Sequence, residues 1–177
     1  MMDQNKPVFT NSSATIFSGQ SILSAYLGYE EKLVSLTEAF RDVLQRYSSL
    51  ENKNAVILRM DALPCIEGNR DEIVQWCDHL LSMILNHPPL NSRLFLYIKC
   101  EEDKAAGNTD KSLGNGFKRY NLCIHTNIST CEDWRVLYKE KLDECTLIAR
   151  RHHASFLCNH ISNTGCLFTL TLPGKLN

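Results

Sequence analysis

His79 is the first histidine in the chain, and it lies in a segment with helical spacing. Histidine is a residue type that can serve as a catalytic base, although a polar residue at a helix edge is the commoner use. The run Arg150-Arg151-His152-His153 suits a phosphate or an acidic partner, or the negative end of a helix dipole. His152, His153, Cys158 and His160 are the nearest approach to a metal cluster, but their spacing matches no strong zinc motif. The eight cysteines form no C-x-x-C pair, so reduced structural thiols are expected. Sequence alone assembles no Ser-His-Asp or Cys-His arrangement.

Elements must hold these residues, and 177 residues suit one domain with a short appendage. A formal net charge of −1 gives no general drive toward nucleic acid or anionic membrane, local patches aside. No apolar run nears the roughly 20 residues that span a bilayer. The polar start, Met1 to Gln20, lacks the order of a signal peptide. A cytoplasmic location is expected, with no membrane insertion and no nucleic-acid partner.

Residues 1–19 are Ser/Asn/Thr-rich and are expected to be poorly ordered. Residues 20–34 read as a short helical segment through Ile22, Leu23, Tyr26 and Leu27. Ser35 with Glu38 forms a capping box, and Phe40, Val43, Leu44 and Tyr47 mark the face of a helix over 35–50. Residues 55–60 read as a strand, broken by Leu63, Pro64 and Gly68. Asn69 with Glu72 starts a second helix over 69–86, in which Ile73, Trp76, Cys77, Leu80, Leu81 and Ile84 give the strongest periodicity of the chain. Leu94 to Cys100 and Phe117 to Ile128 read as hairpin-joined strands around a polar loop, 101–116. A third helix is expected over 132–150, with Trp134, Leu137, Tyr138, Leu142, Cys145 and Ala149 inward. Ala154–Cys158 and Cys166–Leu172 form a last hairpin, turned at Asn163-Thr-Gly165. Hairpins make the sheet mixed and largely antiparallel, with about five strands and helices on one face: a two-layer α/β sandwich.

The stretch Leu63-Pro-Cys-Ile-Glu-Gly-Asn-Arg-Asp-Glu-Ile-Val-Gln-Trp-Cys-Asp-His-Leu-Leu-Ser-Met83 resembles the pattern L-P-x-V-x-G-D-x-x-x-L-x-Q-x-x-x-N-L-x-x-N of histidine kinases. Ile148-Ala-Arg-Arg-His-His-Ala, running through Thr164-Gly165 to Phe168-Thr-Leu-Thr-Leu-Pro173, resembles I-V-x-x-H-G-G followed by the G-x-G-S-x-F hairpin and F-T-L-P. Over about residues 35–173 the chain is thus similar to the ATP-binding domain shared by histidine kinases, gyrase B, Hsp90 chaperones and MutL. The resemblance implies a domain over 35–175, preceded at 20–34 by what resembles the end of a dimerisation hairpin.

It also implies where a nucleotide would sit, and the matching positions are altered. His79 and Met83 stand where the family has two asparagines that hold magnesium, and a thioether is a poor ligand for that cation. Thr126 takes the place of the aspartate that bonds adenine, and its hydroxyl still accepts a hydrogen bond. Ile128 and Thr130 replace glycines and would fill the approach to the backbone. The phosphate loop matches Lys139-Glu-Lys-Leu-Asp143, glycine-free and inside a continuous helical pattern, and the mobile lid is shortened away. Thr171 keeps a position near the adenine site. Met83 reads as pocket filling; Glu72 and Asp78 read as solvated helix residues. No histidine precedes His79, so the sequence holds no match to a phospho-acceptor histidine.

These features predict a histidine-kinase-like domain of two-component signalling that is non-catalytic. It would act as an interaction module for a signalling partner, a response regulator or a kinase, or as a homodimer. No cofactor is expected. One rival is a working sensor kinase domain that binds ATP and magnesium through altered ligands, His79 and Thr126. Another is a phosphotransfer adaptor that docks a response regulator.

Overall fold

The computed structural model describes residues 32–47, 56–89, 93–104, 117–128, 134–161 and 165–176, all within the compact unit Glu31–Asn177. In chain order the elements are β1 (Lys32–Ser35), α1 (Leu36–Arg46), β2 (Val56–Met60), β3 (Cys65–Gly68) and α2 (Arg70–Leu85). There follow β4 (Leu94–Glu102), β5 (Lys118–Thr126), α3 (Trp134–Leu137), α4 (Lys139–Arg151), β6 (Ser155–Ile161) and β7 (Gly165–Gly174). A five-stranded sheet has the order β2-β4-β5-β7-β6. Only its β2–β4 pair is parallel. Three main helices and this mixed, mostly antiparallel sheet make the expected α/β sandwich.

Both helix starts follow from local chemistry. Ser35 accepts a hydrogen bond from the Glu38 amide at 3.3 Å, and Asn69 accepts from Asp71 and Glu72 at 2.8 and 3.4 Å. Each satisfies backbone donors that have no partner inside the helix. The end of α4 is a Schellman motif: Ala154 N donates to Ala149 O at 2.9 Å and His153 N to Arg150 O at 3.1 Å. That closure puts His153 at φ 54°, the left-handed conformation that glycine adopts most readily.

Aromatic contacts knit the two layers. Trp76 on α2 meets Phe40 on α1 edge-on at 6.1 Å and Phe156 on β6 at 5.7 Å. Phe156 stacks on Phe168, and Trp134 leans on Phe168 at 6.0 Å. Such pairs add to the stabilisation from buried area. Phe40, Val43, Ile73, Trp76, Leu80 and Trp134 are buried as expected, while Leu44, Tyr138 and Leu142 are partly buried against the same core.

Three local expectations are corrected. Residues 32–34, expected at the end of a helix, are extended and pair with β3 in a separate antiparallel ribbon, Val34 opposite Ile66; residues 20–31 lie outside the described residues. Cys65–Gly68, expected as a break, is the other strand of that ribbon, tied to the chain end by reciprocal Cys65–Lys175 backbone bonds of 2.8 Å. The third helix is not continuous over 132–150. It breaks at Tyr138, between α3 and α4, and this turns Leu137 outward to 65% exposure. Residues 132–133, 105–116 and the turn residues 162–164 lie outside the described residues.

Candidate functional site

Two of the sequence-predicted positions, His79 and Met83, lie on α2, which packs against α4. His79 lies on α2, its Nε2 2.7 Å from Glu144 Oε2 on α4 and 3.2 Å from Gln75 Nε2 one turn earlier. Next to it, Lys141 Nζ donates to Ser82 Oγ at 2.8 Å, and Ser82 Oγ donates to the His79 carbonyl at the same distance. Lys141 also lies 6.0 Å above the Tyr138 ring, and Tyr138 hydrogen-bonds His87 just beyond the end of α2. Met83, one turn after His79, is completely buried. His79 thus faces a carboxylate, and Met83 presents only a buried thioether, a poor partner for an oxygen-seeking cation.

Thr126 ends β5 on the inward side, opposite Leu96 on β4 and Cys166 on β7. It is 5% exposed, and its Oγ1 has no hydrogen-bond partner. Ile128, two residues on, is 2% exposed and joins Met83 and Trp134 in the core cluster. The indole Nε1 of Trp134 is likewise buried without a partner. Gly165 closes tightly on this strand end: a Cβ there would stand 1.9 Å from the Thr126 carbonyl oxygen, and its φ is +120°. Glycine is thus required where the chain resembles the G-x-G-S-x-F hairpin. Thr130 lies outside the described residues.

Thr171 is not brought to this place. It bonds Asn121 at 2.8 Å, and β7 buries Leu170 and Leu172 on either side of it. Alternation therefore puts Thr171 on the face away from the helices. The stretch Lys139–Asp143 is corrected: it opens a helix at Lys139 instead of lying inside one, and that start has no side-chain cap.

Glu72 and Asp78 are engaged. Glu72 Oε1 accepts from Arg151 Nη1 at 2.6 Å, and its Oε2 lies 3.3 Å from His152 Nε2. This accounts for Arg151 and His152 in the basic run as links between α4 and α2. Asp78 accepts from the Tyr47 hydroxyl at 3.4 Å and lies 3.8 Å from Arg46; burial, then Asp78, pushes the Tyr47 pKa up. None of the seven described cysteines is in a disulfide. Burial is the main cause of the raised thiol pKa values of Cys145, pushed up to about 12, and of Cys77, higher still. Among the described residues no three His, Cys, Asp or Glu side chains gather to hold a metal.

The sequence pointed to His79 but missed Glu144, Ser82, Lys141 and the His87–Tyr138 contact. Their partners lie 51 to 65 residues away along the chain, and no periodicity encodes such pairs.

The arrangement of a five-stranded sheet under three helices, with β5 ending beside Gly165, can be matched to known structures. No protein family and no curated protein matches the sequence. A mycobacterial sensor histidine kinase, MprB, superposes with a TM-score of 0.60 at 11% identity, over 84% of this chain and 100% of that one. The catalytic domain of histidine kinase ThkA gives 0.60 at 13%, covering 84% and 100%. Acinetobacter baumannii histidine kinase AdeS gives 0.57 at 14%, covering 89% and 75%. The chain has the fold of a histidine kinase ATP-binding domain. At these identities the likeness concerns the histidine-kinase-like fold alone. No helix among the described residues is long and apolar enough to cross a membrane.

Proposed function

We propose that this histidine-kinase-like domain is a non-catalytic interaction module of two-component-type signalling. Its partner would be a signalling protein, a response regulator or a kinase, and no cofactor is needed. The observation that carries the reading is Met83. It is fully buried, and on the resemblance it stands where the family has a magnesium-binding asparagine, so a thioether replaces the oxygen ligand there. The Glu144 pairing of His79 and the buried Ile128 support the same reading. Among the described residues, side chains bridge the α2–α4 seam, His79 to Glu144 and Lys141 to Ser82. A domain that keeps its core while these positions change together fits selection for a surface and not for catalysis. Calorimetry with ATP and magnesium tests this. The expected outcome is no heat at millimolar nucleotide and no autophosphorylation. Saturable binding at tens of micromolar defeats the reading.

One observation favours the second reading, a nucleotide-binding kinase domain with altered ligands. The Thr126 hydroxyl is buried without a partner, which is the condition of a group awaiting a ligand. The same calorimetry separates the two.

A further inference from the structure

We draw no further inference here: the strongest candidate, the exposed edge of the five-stranded sheet at β2 with Ile57, Leu58 and the neighbouring Phe95, is an unpartnered apolar surface, and nothing in the structure shows what covers it.

Discussion

The imidazole of His152 stands where a side chain on Gly68 would have to go: a Cβ there would lie 2.2 Å from His152 Nδ1. Glu72 lies 3.3 Å from the other ring nitrogen, so the ring has little freedom to withdraw. Gly68→Ala should therefore cost about 1–3 kcal/mol, the usual range for overpacking. A double-mutant cycle with His152→Ala checks the cause, because the coupling should recover most of that loss. Additive effects in urea unfolding would place the strain elsewhere.

His153 is the residue where α4 turns back, and it does so at φ 54°. The left-handed region costs a residue with a Cβ about 1 kcal/mol or more, and glycine little. His153→Gly should raise stability by about 0.5–1 kcal/mol, read as a higher urea midpoint at unchanged slope. The resembling kinase pattern has glycine at this position, so the expected gain has a local backbone cause independent of any site chemistry.

How far the sequence reached depended on the range of each interaction. The caps at Ser35 and Asn69 were legible because donor and acceptor are within three residues. Trp76 and Leu80 were legible because helical spacing alone puts them inward. The β1–β3 ribbon was not: two four-residue strands carry too few residues to show alternation, and their pairing is non-local. The break at Tyr138 escaped because Trp134, Tyr138 and Leu142 keep helical phase across it, and the outward turn of Leu137 was its only mark. The direction of Thr171 could have been read from parity with Phe168, Leu170 and Leu172, which alternate with it. The Glu72–Arg151 bond spans 79 residues and belongs wholly to the fold.

The buried thiols set an alkaline limit. The Cys145 pKa is pushed up to about 12, chiefly by burial and then by Glu144, and that of Cys100 to about 11, chiefly by burial and then by Asp61. Between about pH 9 and those values the native state keeps protons that the unfolded chain releases. Stability contributed by the neutral thiols is thus complete below pH 9 and declines as pH rises. Urea midpoints should fall above pH 9, and Cys145→Ala should flatten that fall despite lowering stability at pH 7. At pH 8 Cys145 should resist a thiol-specific reagent until the protein is unfolded.

Met83 tests whether a kinase-like ligand can be put back. The side chain is fully buried, so Met83→Asn places an amide among apolar groups, and each unsatisfied polar group costs about 1–3 kcal/mol. Loss of packing adds to that. The variant should unfold at clearly lower urea and gain no magnesium-dependent ATP binding by calorimetry. Micromolar affinity in this variant, or in a His79→Asn, Met83→Asn pair, would falsify the view that the fold has closed over the position.

Thr126 separates the two functional readings through stability and binding together. Its hydroxyl is buried, with no hydrogen-bond partner, and Thr126→Val replaces it by a methyl group of nearly the same shape. A buried unsatisfied group costs about 1–3 kcal/mol, so the substitution should raise stability by about 1 kcal/mol. On the non-catalytic reading that gain comes with no functional loss, because nothing binds the hydroxyl. On the nucleotide-binding reading the wild type binds ATP measurably and Thr126→Val removes that binding, since the acceptor for the adenine amine is gone. Thr126→Asp adds the third measurement. A carboxylate in this enclosed position lacks water and a cation, so it should destabilise by several kcal/mol and still not recruit nucleotide past the Ile128 side chain. The non-catalytic reading is retained only if the valine variant is as stable as the wild type or more so, and the wild type and both variants are silent toward ATP.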